Sequence, residues 1–302
     1  MSEQQNRENR NAVFSQDTPS TSEALTSQQM RSMGAKSQRD SVLEELGIQI
    51  PEEVVPLPSQ GKVYPVGSPL HKRNLLEIKP MTAKEEDILT SRAYIKKGTV
   101  ITKLIQSCVT DRSVNVQSML SGDRNAVLVA IRITGYGAQY SATITCPECN
   151  ENFSSDFDLS QLPLKNLEIE PAEPGVNLFD FQLPVTQANV QFKFLTGRDE
   201  EEITVNAERR KKKLKSAEEN MITARLQHQI VSVNGRTEKG LISKFIQHMP
   251  AGDSLALRNF IQKHEPGIDM VSEATCTNID CGEISEVDVP LGASFFWPDT
   301  RK

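Results

Sequence analysis

Four of the five cysteines fall in two close pairs, Cys146-Pro-Glu-Cys149 and Cys276-Thr-Asn-Ile-Asp-Cys281, more than a hundred residues apart. Two residues separate the thiols of the first pair and four those of the second. That spacing suits zinc knuckles, in which a short turn aims two thiolates at one tetrahedral metal. Both pairs sit between stretches that read as strands: Tyr140–Thr145 and Asn152–Asp158 around the first, Met270–Thr275 and Glu283–Val289 around the second. Two hairpins with a cysteine pair at each tip are the components of a zinc ribbon. Cys146, Cys149, Cys276 and Cys281 are therefore the expected ligands of one structural zinc ion. The other readings are one or two disulfides, or free thiols that merely fall in pairs. No apolar secretory leader is visible near Met1, so nothing favours an oxidising compartment.

The rest of the chain offers little further chemistry. His71, His228, His248 and His264 share no spacing typical of a metal or nucleophile site, and Glu265 beside His264 reads as a surface helix end. Gly135-Tyr-Gly137 lacks the third glycine of a dinucleotide fingerprint, position 140 being Tyr, and it follows a helix rather than opening one. There is no P-loop, no G-x-S-x-G and no H-E-x-x-H. A protein without enzymatic activity is expected. Lys and Arg total 34 against 40 for Asp and Glu, a formal charge of −6, which gains little from phosphate electrostatics. No apolar run approaches the ~18–20 residues of a membrane-spanning helix. Neither nucleic acid nor membrane is an expected partner.

The elements that must position the cysteines follow from periodicity and punctuation. Residues 1 to about 40 are rich in Gln, Asn, Ser, Arg and Glu and poor in large apolar groups, which predicts disorder. Ser41-Val-Leu-Glu-Glu-Leu-Gly47 is a short apolar cluster, a docking turn for a partner or the start of the fold. An extended, proline-punctuated stretch follows, with a turn at Gln60-Gly-Lys62 and a strand at Leu75–Lys79. Thr82-Ala-Lys-Glu85 is a capping box that launches a helix to about Ser91. Ile101, Leu104, Ile105 and Cys108 line one face of a second helix, so the fifth cysteine belongs to the core. Val116, Met119 and Leu120 suggest a short third helix, and Asp123 reads as the cap of a fourth, Arg124 to Ile133. Beyond the first cysteine hairpin, Phe179–Leu183 and Val190–Leu195 read as a strand pair. A long charged helical stretch from about Asp199 to His228 carries Arg209-Arg-Lys-Lys-Lys213. That run is a solvated face, a docking surface for an acidic partner, or a nucleic-acid contact without aromatic residues to stack bases. Gln229–Val233 ends at an Asn234-Gly235 turn, and two amphipathic helices follow, the second with Asp253 as its cap. Phe295-Phe-Trp-Pro298 closes the chain as a tail tucked into the core or as an interface anchor.

Several of these stretches together are similar to a known family. Pro56-Leu-Pro-Ser-Gln-Gly-Lys-Val-Tyr-Pro65, Met81–Leu89, Ile95–Thr99, and Ala130–Gly137 leading into Cys146–Cys149 carry the likeness in the first half. Phe260–Asp269, the second cysteine hairpin and Phe295–Pro298 carry it in the second. They resemble the baseplate hub assembly proteins of T-even-like contractile-tailed bacteriophages, over roughly residues 55–160 and 250–298. The resemblance implies a virion-assembly role, as a structural subunit of the tail baseplate hub or a chaperone for it. Its partners would be hub and tape-measure proteins, in the host cytoplasm during assembly or in the tail of the virion.

These readings combine into an α+β protein. A tail (1–45) precedes an extended and helical region (46–138). A zinc-ribbon-like module is built from 139–160 and 265–302, and 161–264 is an insertion with a strand pair and charged helices. Partner contacts are expected at Phe295, Phe296 and Trp297, and at Val42, Leu43 and Leu46. The rival function, from another class, is a zinc-ribbon nucleic-acid-binding regulator of phage genes.

Overall fold

The computed structural model describes residues 45–48, 52–213, 221–291 and 293–296. The chain divides into two units, 1–49 and 50–302. Of the first, Leu46 is exposed and Gly47 takes a left-handed φ of 70°. Expectations for residues 1–44, including Val42 and Leu43, and for Trp297 lie outside the described residues.

The second unit is a mixed α+β fold. It opens with β1 (Glu53–Pro56), paired antiparallel with β2 (Leu75–Ile78), so that Val55 and Leu76 meet on the buried face. The loop between them is held by a buried polar knot. The Asp123 carboxylate accepts from Ser59 N (2.9 Å), Ser59 Oγ (2.6 Å) and Tyr64 Oη (2.5 Å), and Tyr64 Oη in turn accepts from Leu120 N (3.0 Å). Burial, reinforced by the neighbouring carboxylate, raises the Tyr64 pKa well above its ordinary value, which keeps the phenol a donor. The Gln60–Gly61 turn needs its glycine, since a Cβ at Gly61 would come within 2.3 Å of Arg73 N and its φ is +69°.

Four helices follow: α1 (Ala83–Thr90), α2 (Arg92–Lys97), α3 (Val100–Cys108) and α4 (Ser121–Tyr136). Thr82 and Glu85 form the expected capping box, with Thr82 N donating to Glu85 Oε2 at 2.9 Å. Leu104, Ile105 and Cys108 are buried on α3 as the spacing predicts. The expected third helix is a single 3₁₀ turn, Val116–Ser118. Asp123 is not a cap. It lies inside the first turn of α4 and spends its oxygens on the β1–β2 loop, sixty residues back in the chain.

The chain continues through β3 (Gln139–Thr145), β4 (Asn152–Asp158), β5 (Leu164–Lys165), β6 (Phe179–Gln182), β7 (Asn189–Phe192), α5 (Gly197–Lys213), α6 (Met221–Gln229) and β8 (Ile230–Val233). It ends with α7 (Lys239–His248), α8 (Ala251–His264), β9 (Gly267–Ile268), β10 (Val271–Thr275), β11 (Ile284–Asp288) and a 3₁₀ turn, Ala293–Phe296. The expected strand pair gains a third member, giving the antiparallel sheet β6-β7-β8, on which Phe179, Phe192 and Phe194 pack together. The charged stretch is helical on both sides of residues 214–220, as α5 and α6. Thr196 and Asp199 cap α5 reciprocally: Thr196 N donates to Asp199 Oδ2 (2.9 Å) and Asp199 N to Thr196 Oγ1 (3.4 Å). Asp253, like Asp123, lies inside its helix, and its carboxylate accepts from Val185 N, Thr186 N and Thr186 Oγ1 at 2.7–3.1 Å.

Two contacts bring the distant cysteine segments together. β5 pairs with β9, setting Leu164 opposite Ile268. Gly122, at the start of α4, lies so close to Pro266 that a Cβ there would be 1.6 Å from the Pro266 carbonyl oxygen. The segment that enters the second hairpin is thus seated on the helix that leads to the first.

Candidate metal centre

β3 and β4 form an antiparallel hairpin in which Tyr140, Ala142, Ile144, Phe153 and Phe157 face inward. β10 and β11 form a second, separate two-stranded sheet. The cysteine pairs occupy their tips, and the two tips are built alike. In the first, Cys146 N donates to Glu151 O (2.9 Å). In the second, Cys276 N donates to Glu283 O (2.9 Å). In both, the acceptor lies two residues beyond the second cysteine. The residue between them, Asn150 or Gly282, takes a left-handed φ of 58° or 59°. That conformation is open to asparagine and glycine, and it turns the chain back after the second thiol has been presented.

The four sulfurs converge. Cys146 Sγ is 3.9 Å from Cys281 Sγ and Cys149 Sγ is 3.7 Å from Cys276 Sγ, and all four lie within 4.8 Å of one another. A disulfide would require about 2.05 Å, so none is formed. Four thiolates at the ~2.3 Å zinc–sulfur distance of a tetrahedral site stand about 3.8 Å apart. The residues present therefore fit a zinc ion in spacing and in donor type. The close sulfur pairs each join one hairpin to the other, so a shared ion would cross-link residues more than 120 positions apart.

The electrostatics point the same way. Backbone N–H groups of Cys149 and, more weakly, Glu148 on the Cys146 sulfur pull its pKa down to about 7. For Cys276 the Asn278 N–H also favours the thiolate, but burial and the thiols of Cys149, Cys146 and Cys281 outweigh it and push the pKa up to about 12. Cys281 is raised in the same way, against the Glu283 N–H. One thiolate forms readily and disfavours ionisation of Cys276 and Cys281, because negative charges this close repel. A dication at the centre is what lets all four ionise. Asn278 is the residue that sequence reasoning missed: its Nδ2 lies 4.0 Å from Cys149 Sγ, and its carbonyl accepts from Cys281 N and Gly282 N. An asparagine two residues after a knuckle cysteine was the available signal.

The fifth cysteine, Cys108, lies in the core, away from the cluster. The terminal rings, read from the sequence as a core tail or an interface anchor, pack inward. Phe295 and Phe296 are buried, with Phe295 edge-on to Tyr140 at 5.2 Å. Arg132 on α4 fixes this segment, donating from Nε to Phe295 O (2.7 Å) and from Nη1 and Nη2 to Gly137 O and Gln139 O. Leu46 is exposed, as a partner contact requires.

The family model of the T4 bacteriophage base plate protein matches residues 51–297, which takes in both hairpins and every described element of the larger unit. The chain belongs to that family. No curated protein and no solved structure matches it. The stretches Pro56–Pro65 and Phe260–Asp269, which carried the resemblance, have identifiable structural work in this base plate protein. The first supplies Ser59 and Tyr64 to the Asp123 knot, and the second supplies the Pro266–Gly267 backbone that seats against Gly122. Among the described residues no helix is long and apolar enough to cross a membrane.

Proposed function

We infer that this chain is a structural subunit or assembly chaperone of the phage tail baseplate hub, working through protein–protein contacts and without enzymatic activity. The observation that carries the reading is the family match across nearly all of the 50–302 unit. Cys146, Cys149, Cys276 and Cys281 hold one structural zinc ion in a ribbon-like module. When bound, zinc supplies a redox-inert tetrahedral cross-link. The chain's own part is to aim four sulfurs inward from two hairpin tips and to stabilise the thiolates with backbone N–H groups. The partners are hub and tape-measure proteins, met in the host cytoplasm during assembly, with Leu46 among the contacts. A regulator that binds phage DNA is disfavoured by the net charge of −6.

Affinity capture of the tagged chain from phage-infected cells, with mass spectrometry of the eluate and of purified virions, tests this reading. Hub and tail-core proteins should co-purify. Presence in virions marks a subunit, and absence from them marks a chaperone. Capture of phage DNA without tail proteins would overturn both.

A further inference from the structure

The β10–β11 hairpin covers only one of its faces. Ala274 and Cys276 turn inward, while Val271, Glu273 and Thr275 stand opposite Asp288, Glu286 and Ile284 on an exposed face. Glu273 and Glu286 are directly cross-strand, a like-charge pair that weakens an isolated hairpin. Among the described residues no cation pairs with Glu273, Glu286 or Asp288. The two cysteine hairpins as a whole are one-sided in charge. Residues 139–158 hold four carboxylates and residues 271–288 five, and neither stretch contains a lysine or arginine. Ile279 at the hairpin tip is fully exposed and Ile284 is 62% exposed, so apolar contact area lies beside the charge.

The complementary feature is the C-terminal part of α5. The first half of the helix packs through the buried Ile203, but no side chain from Thr204 to Arg209 is buried. About 9 Å of helix, Thr204 to Arg209 at 1.5 Å per residue, carries no buried side chain. The helix ends in Arg209-Arg-Lys-Lys-Lys213, five consecutive cations. The helix dipole favours cations in a last turn. Dipole and solvation alone, however, give no reason for the helix to extend past its own packing.

We propose that these two faces meet between copies of the chain: the basic end of α5 of one copy docks on the acidic face of β10–β11 of the next, with Ile279 and Ile284 at the contact. The contact is either exchanged reciprocally across a twofold axis or made head-to-tail. The reciprocal form stops at a dimer, and the head-to-tail form propagates or closes into a ring.

Sedimentation velocity of the full chain at about 50 mM and about 500 mM salt, where the screening length shortens severalfold, reads the association directly. Self-association at low salt should weaken tenfold or more at high salt. K211E/K212E/K213E and E273K/E286K should each lose association by a similar factor, because each leaves like charges facing one another. An equimolar mixture of the two variants should recover it, since each then presents the other's complement. All five positions are at exposed or terminal sites. Should either variant fail to fold, zero-length carbodiimide cross-linking of the wild-type chain gives an independent readout: cross-links between 209–213 and 273–288 of different copies are expected. A wild-type chain that stays monomeric at low salt, folded variants that do not recover on mixing, or cross-links confined to other surfaces would each overturn the proposal. So would salt-sensitive binding of short duplex DNA with no self-association.

Discussion

Gly122→Ala is the substitution for which the structure gives the clearest arithmetic. Gly122 is the second residue of α4, and replacing a helical glycine by alanine ordinarily stabilises by up to about 1 kcal/mol. Here the added methyl would lie 1.6 Å from Pro266 O and 2.7 Å from its carbonyl carbon. Carbon–oxygen contacts settle near 3.3 Å, so backbone must move by roughly 1.7 Å. No flexible side chain can absorb that, because the obstacle is main chain immediately before β9. The cost is expected at or beyond the upper end of overpacking, about 3 kcal/mol, which overwhelms the helix gain and reverses the sign. At about 2–4 °C per kcal/mol for a unit of this size, Tm should fall by roughly 6–12 °C. The displaced segment carries the second cysteine hairpin, so competition with a chromogenic chelator should also show weaker zinc retention. Gly240→Ala is the matched control. It too is the second residue of its helix, α7, with nothing within 4 Å of its Cβ position, and it should be neutral or stabilising. If both variants gain stability alike, the close approach of α4 to Pro266 is wrong, and with it the argument for how the hairpins are brought together.

Other expectations follow from single contacts. Cys149→Ser should abolish stoichiometric zinc and destabilise the fold severely, whereas Cys108→Ser should leave the zinc content unchanged; metal analysis of both variants distinguishes ligand from core cysteine. Tyr64→Phe removes one donor from the Asp123 carboxylate and leaves Leu120 N without its acceptor, at a cost of about 1–3 kcal/mol by urea denaturation. Burial works against the Asp199 carboxylate, but the Lys193 ammonium and the Thr196 hydroxyl and N–H overcome it and hold its pKa below the ordinary value. A depressed folded-state pKa means that this stabilisation is complete above the unfolded pKa of about 3.9 and is lost as pH falls below it. Asp199→Asn should flatten that part of the stability profile; an unchanged acid limb would count against the ion pair. Asp123, whose burial pushes its pKa up, acts in the opposite sense, so the Asp199→Asn difference is the quantity to measure.

The parts of the fold legible in the sequence were those written in local periodicity. The Asn152–Asp158 strand agrees with expectation residue for residue, and the other three hairpin strands agree to within one residue at each end. Alternation and a flanking cysteine turn are local signals, as is the Thr82–Glu85 capping box. The misreadings at Asp123 and Asp253 share one cause. An aspartate near a helix start looks the same in sequence whether it caps its own helix or accepts from a loop sixty residues away, because the difference lies in tertiary contacts. The convergence of the cysteines was inferred from ligand chemistry. What seats them, Gly122 against Pro266 and the β5–β9 pair, had no local signature. A glycine needed for close approach cannot be told from one needed for a turn until its neighbour is known. The terminal Phe295-Phe296 pair was ambiguous for a related reason, since apolar rings serve a core and an interface equally well.

The zinc centre on which the account turns is tested most directly by elemental analysis of the full chain purified without chelator, combined with thiol counting before and after denaturation. About one zinc per chain is expected, with Cys146, Cys149, Cys276 and Cys281 unreactive until the metal is stripped. Protein that contains no zinc, and whose four hairpin thiols react freely while it remains folded, would contradict it.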